Sequence, residues 1–177
     1  MTATPATAPA AARAGRYLTF RLGAATYGIP ILNVREIIRL CPITPVPRMP
    51  EYIKGVINLR GTVVPVVDLR AKFQMPVVEY GERTCIIVMT LQIGNGPGTL
   101  MGAVVDAVEE VVTLNAAEIE PTPDFGGTTD TQYIIGIATL RGGVKTLLDV
   151  EKIFIEEGSL VLPETAAFPS STQKESA

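Results

Sequence analysis

Apolar residues along this chain come in short runs rich in Val and Ile and broken by Gly and Pro: YLTFRL, YGIPI, GVINL, GTVVPVVDL, TCIIVMTL, LMGAVVDAV, EEVVTL, YIIGIATL and GVKTLLDV. Runs of that length and content predict many short strands in a closed or sandwiched all-β fold. ILNVREIIRL and VVDAVEEVVTL also fit helical spacing, with Ile31, Val34, Ile37 and Ile38 on one face. Their β-branched content favours strand, with a break near Val34. DLRAKF and DVEKIF each open on an Asp that can cap, and predict one or two helical turns. Pro65 cannot donate to a ladder, so the strand carrying it is expected at an edge or a bulge.

The same pattern occurs twice. Tyr52–Phe73 lies without gaps on Tyr133–Phe154, with 9 of 22 positions identical, and upstream Tyr27–Ile38 matches Met101–Val112 more weakly. The folded part therefore reads as two copies of one β unit, residues 16–80 and 84–157. Units of about 65 residues bury only about 60% of their surface each, so they are expected to pack on one another. In each copy the Gly after Leu-Arg, Gly61 and Gly142, suits a hairpin turn. Residues 1–15, with seven Ala, three Thr and two Pro, are expected to form a flexible leader, and 158–177 a flexible tail.

Composition removes most chemistry. Histidine is absent, so no Ser-His-Asp triad, Cys-His dyad, HExxH zinc site or imidazole shuttle can be built. Catalysis would have to rest on carboxylates, Lys, Tyr or the two cysteines. Cys41 and Cys85 are 44 positions apart without a CxxC, which argues against a zinc site or redox dithiol, although parity alone allows one disulfide. Net charge is -3 and the Lys and Arg are scattered singly, so no basic stripe invites nucleic acid. No charged segment followed by an apolar one opens the chain, and no apolar run approaches the roughly 18 to 20 residues of a spanning helix. The expectation is a cytoplasmic protein with reduced thiols, no cofactor and no metal.

The motifs that could carry catalysis are weak. Gly94–Gly98 resembles a phosphate loop, but a strand rather than a helix follows it, so a hairpin loop is the better reading. GGVKT at Gly142–Thr146 lacks the Gly directly before Lys that a Walker A loop requires. Asp68 and Asp149 are repeat equivalents at strand ends, where capping explains them; Asp106, Glu109 and Glu110 supply no evident catalytic pair. What remains is Arg60 in NLRG and its counterpart Arg141 in TLRG. An Arg between Leu and Gly at a hairpin end reads as a solvated charge, a structural salt bridge to Asp68 or Asp149, or a binding residue.

Over IKGVINLRGTVVPVVDLR, and further over FRLGAATYGIPILNVREI, CIIVMTL, GAVVDAVEEVVTL and LNAAEIEPTPDF, the chain resembles the CheW family, the coupling proteins of bacterial chemotaxis. The likeness covers residues 16–157. It implies two interlocked five-stranded SH3-like β-barrels with a few short helical turns. It also implies a non-enzymatic adaptor, recruited to receptor arrays at the inner membrane. The implied partners are the cytoplasmic tip of methyl-accepting chemoreceptors and the regulatory domain of a CheA-type histidine kinase. The family's receptor groove maps onto Val34, Glu36, Arg60, Ile86 and Val111; Gly55, Asn58, Leu59 and Gly61 match its turn motif. The apolar members, Val34, Ile86 and Val111, are expected to be partly exposed. The alternative reading is a stand-alone β-barrel that binds a ligand.

Overall fold

The computed structural model describes residues 14–76, 78–92, 98–122, 133–140 and 143–155. The tail, nearly all of the leader, most of the Gly94–Gly98 loop, Arg141 and Gly142 lie outside the described residues. The chain runs β1 (Gly15–Leu22), β2 (Ala25–Pro30), a 3-10 turn (Ile31–Asn33), β3 (Val34–Arg39), β4 (Ile53–Leu59), β5 (Thr62–Asp68) and α1 (Leu69–Lys72). It continues through β6 (Cys85–Leu91), β7 (Thr99–Val105), β8 (Ala107–Leu114), a 3-10 turn (Ala116–Glu118), β9 (Ile119–Glu120), β10 (Ile134–Leu140), β11 (Gly143–Leu148) and α2 (Val150–Ile155). The helical spacing in ILNVREIIRL resolves as strand, with the break immediately before Val34.

Two sheets result, ordered β8-β1-β2-β11-β10-β9 and β3-β6-β7-β5-β4. The first has five principal strands extended by the two-residue β9, and the second has five. The two repeat units do not each close on themselves. Each gives its first hairpin, β1-β2 or β6-β7, to one sheet and its remaining long strands to the other, so the barrels interlock. Each exchanged hairpin is joined to its new sheet on both sides: β1 lies antiparallel on β8 and β2 parallel on β11 from Lys145↔Thr26 to Leu147↔Gly28, while β6 lies antiparallel on β3 and β7 parallel on β5 from Val66↔Gly102 to Asp68↔Val104.

This exchange creates three cores. Leu18, Phe20 and Leu22 of the first sheet meet Val67, Ile87 and Met89 of the second in a central layer closed by Phe154. Ile57, Val64, Val66, Ile86, Val88 and Val104 fill one barrel, and Tyr17, Leu114, Ile119, Ala138 and Leu147 the other. Alternate residues of β6 therefore face two different cores, which explains why CIIVMTL is apolar at nearly every position. Thr19, buried in β1 beside a register shift, satisfies its hydroxyl by donating to the Glu110 carbonyl at 2.9 Å and accepting from the Glu110 amide at 3.2 Å.

Of the two places expected for Pro65, an edge or a bulge, the edge is wrong, because β5 lies between β7 and β4, while the ladder with β4 does shift register between Ile53 and Gly55. Pro65 sits at the end of the parallel ladder with β7, whose pairs run from Val66 to Asp68, where its missing N–H is tolerated.

After each repeated hairpin an Asp caps the following helical turn: Asp68 accepts from the Arg70 amide at 2.9 Å and Asp149 from the Lys152 amide at 3.2 Å. Each helix also grips the opposite barrel. Arg70 of α1 makes two bonds to Asp106, at 2.9 and 2.6 Å, and Asp106 accepts from the Gly23 amide at the β1-β2 tip at 2.7 Å. At the repeat equivalent of Arg70, Glu151 of α2 accepts from the Gln92 amide past the end of β6 at 2.7 Å. Among the described residues no helix is long and apolar enough to cross a membrane.

The Arg70 clasp gives a testable pH dependence. The Arg70 hydrogen bond holds the Asp106 carboxyl below its ordinary value of 3.8, partial burial opposes this, and the Gly23 amide reinforces it. A depressed folded-state pKa adds stability that is complete above the unfolded value and lost as pH falls through the folded one. Asp106→Ala, which strands the Gly23 amide and leaves the guanidinium with its bond to the Pro76 carbonyl but without its carboxylate, is expected to lose about 1–3 kcal/mol at neutral pH. Denaturant midpoints should show that deficit shrinking on acidification below the ordinary value.

Candidate functional site

The hairpin β4-β5 ends on the pair Leu59↔Thr62, leaving Arg60 and Gly61 to reverse the chain. Both have positive φ, 51° and 89°. Two left-handed residues in a two-residue loop are what a type I′ turn needs to match the twist of the flanking strands. The Asn58 side chain accepts from the Gly61 amide at 2.8 Å. Leu59 is half-buried and packs on the barrel core, while Asn58 and Arg60 face solvent.

From this tip the Arg60 guanidinium donates to the Glu36 carboxylate on β3. The salt bridge to Asp68 entertained from the sequence is thus replaced by one to Glu36; Asp68 is engaged with the Arg70 amide and the Tyr80 hydroxyl, the latter at 2.9 Å. The Arg60 side chain is 69% exposed against 28% for Glu36, so the charged pair stands on the surface with its acidic member half sheltered.

Val34 lies two positions before Glu36 on β3, half-buried against the central core. Val111 sits on β8, an edge strand of the other sheet, and is 46% exposed. Ile86 corrects an expectation: it is fully buried on β6, with Ile38 beside it in register and Val66, Val88 and Val104 in the same barrel core. It supports the floor beneath β3 and presents nothing to solvent. The structure thus joins Glu36 and Arg60, turns Val34 to the other face of β3 against the central core, and places Val111 on the other sheet.

Sequence reasoning missed Ile37, Leu32 and Val63, which are exposed apolar residues. Ile37 is the repeat counterpart of Val111 and is exposed to nearly the same degree, 44%. Leu32, on the turn before β3, is 92% exposed. Val63 lies across from Asn58, and its counterpart Val144 is exposed as well. The repeat register held the signal for Ile37 and Val63, since exposure follows it.

The remaining candidate chemistry is structural. Asp68 and Asp106 both serve Arg70. Cys85 packs against the central core and Cys41 against the barrel core on the other side of the sheet, and both are free. Burial pushes the Cys85 thiol up, with a bond to the Val108 backbone opposing it, so the thiolate is disfavoured. Among the described residues no three of Cys, Asp and Glu gather as a metal-binding group.

The two motif glycines are needed for different reasons. A Cβ on Gly55 would stand 2.0 Å from the Thr44 carbonyl oxygen, where Thr44 and Val56 exchange two backbone bonds of 2.9 Å. A Cβ on Gly61 would meet nothing within 4 Å. Gly61→Ala is expected to cost only the left-handed penalty, about 1 kcal/mol, and Gly55→Ala about 3 kcal/mol or more; equal costs in denaturant titrations would refute the distinction. In the same assay Ile86→Asp is expected to abolish folding by burying an unpaired charge, whereas Val111→Asp loses about 1 kcal/mol or less.

The CheW-like domain model matches residues 16–157. A protein named chemotaxis protein CheW from Klebsiella aerogenes is 39% identical over 150 residues, covering 85% of this chain and 87% of its own. Protein FrzA of Myxococcus xanthus is 31% identical, covering 74% of this chain and 78% of its own. The crystal structure of the scaffolding protein TtCheW from Thermoanaerobacter tengcongensis superposes with a TM-score of 0.70 at 32% identity, over 80% of this chain and 93% of that one. A family match across both barrels, with relatives above 30% identity over most of their length and a solved structure of similar fold, leads to one conclusion: the chain belongs to the CheW-like domain family.

Proposed function

We propose that this protein is a non-enzymatic chemotaxis adaptor that couples the cytoplasmic tips of methyl-accepting chemoreceptors to a CheA-type histidine kinase, working in the cytoplasm at receptor arrays on the inner membrane. The observation that carries the reading is the Arg60–Glu36 pair, displayed on a defined hairpin tip, with the exposed Ile37 following Glu36 on the edge strand β3. The chemotaxis and scaffolding roles in the names of its relatives support it. A helical receptor tip buries an apolar stripe when it docks, and half-exposed valines and isoleucines beside a charged pair suit a helix-in-groove contact. Val34, Glu36, Arg60 and Val111 are the contact residues in this reading, and Ile86 is the support under them. An enclosed ligand finds no room in the central core, whose cavity of about 10 Å³ holds at most about one water.

The kinase takes a different surface. Two similar barrels built from one repeat give two similar outer ends, which suits end-to-end contacts with a kinase domain of the same fold. Contacts of that kind join unlike patches and continue into rings or arrays. Each is expected to be small, below about 1,200 Å², with strength coming from multivalency.

The test is a three-component binding experiment. Arg60→Ala should weaken receptor binding strongly, as truncating a charge that docking desolvates does, retain the fold and leave kinase association nearly unchanged. Arg141→Ala, at the counterpart position, should change receptor binding little. Competition between receptor fragment and kinase for one site would sink the mechanism.

A further inference from the structure

We infer that Asn58 is a positioning residue, which holds the Arg60 backbone in its left-handed conformation and so aims the guanidinium at Glu36 and at the receptor; the receptor part rests on the reading above. Arg is a poor residue for this place. At φ 51° its Cβ crowds the following carbonyl, and Asn or Gly would serve the turn better. A side chain that is unfavourable where it stands must be retained by its surroundings.

The retaining group is visible. Asn58 is the last residue but one of β4, and its carboxamide oxygen accepts the Gly61 amide at 2.8 Å across the turn. That bond ties down the peptide linking Arg60 to Gly61 and thereby fixes the direction of the Arg60 side chain. Packing does not explain Asn58: it is exposed, and its cross-strand neighbour Val63 is exposed too. The second repeat carries the same Leu-Arg-Gly after Thr139, whose hydroxyl makes such side-chain turns more weakly than Asn. Within this four-residue motif the Asn is the one position that distinguishes the two tips. The difference gives a reason why only one of two equivalent arginines serves the receptor.

The experiment uses the full chain as wild type, Asn58→Ala, Asn58→Asp, Arg60→Ala and the Asn58→Ala/Arg60→Ala double variant. Its readouts are Gly61 amide exchange, the three-bond HN–Hα coupling of Arg60, and binding of a soluble chemoreceptor-tip fragment. Asn58→Ala is expected to speed Gly61 exchange, to move the Arg60 coupling away from its left-handed value and to weaken fragment binding roughly five- to tenfold. Asn58→Asp keeps the acceptor oxygen and should restore all three. In the Arg60→Ala background, removing the Asn58 side chain should weaken binding no further, because the two residues act through one guanidinium. The inference is overturned if Asn58→Ala leaves Gly61 exchange and the Arg60 coupling at wild-type values, or if the binding losses of the two single variants multiply. Wild-type binding by Arg60→Ala would instead overturn the receptor reading, and the two backbone readouts would still decide whether Asn58 positions Arg60.

Discussion

The architecture depends on the exchange of hairpins between the barrels. A unit of about 65 residues with strands this apolar cannot bury both faces of its sheet alone. Sending β1-β2 into one barrel and β6-β7 into the other gives β1 and β6 a core on each face: Tyr17 and Ile86 point into barrel interiors, while Leu18 and Ile87 meet in the central layer. Each exchanged hairpin joins its new sheet through an antiparallel ladder on one side, β1 on β8 or β6 on β3, and a parallel ladder of three residue pairs on the other. The Arg70–Asp106–Gly23 and Glu151–Gln92 bonds lie at those hairpins' ends and hold them in place.

The surface tip at Arg60 inherits its precision from this frame. Glu36 lies on β3, which is held by β6, whose inner residue Ile86 is sealed in the barrel. The β4-β5 hairpin is held at its base by the close approach of Gly55 to Thr44 and at its tip by the Asn58 side chain. A charged pair on a surface contributes little to stability. Its value here is orientation, because the strands on both sides of it are fixed by buried neighbours.

Duplication supplied two copies of each feature, and divergence separated them. Arg70 of one clasp corresponds to Glu151 of the other, and Asp106, which the first clasp uses, corresponds to the fully projecting Leu32. Inside the barrels the cross-strand pair Ile57↔Val64 corresponds to Ala138↔Lys145. Lys145 is buried there, with Glu109 on the edge strand β8 at 3.9 Å, and the small Ala138 opposite leaves room for its stem. The two barrels thus share a backbone plan while presenting different chemistry.

Local and periodic features were legible in the amino-acid sequence because they depend on neighbours along the chain. Short β-branched runs gave strands, the Asp before DLRAKF and DVEKIF gave capped turns, the gapless match of Tyr52–Phe73 to Tyr133–Phe154 gave the duplication, and Gly61 gave the hairpin. The likeness to a family marked Glu36 and Arg60, and the structure brings those two together. Burial and pairing were decided by the tertiary structure, since both depend on which distant strand lies alongside. Ile86 and Val111 look alike as β-branched residues in apolar strands, yet β6 is covered on both faces and β8 is an edge. Pro65 reads as a residue for an edge or a bulge, and its partners decide between them: β5 lies inside the sheet, with a register shift in its ladder with β4. The repeat reads as two copies of one β unit that pack on one another, and interlocking came only from the family likeness, because a linear pattern carries no statement of which copy of a hairpin completes which sheet.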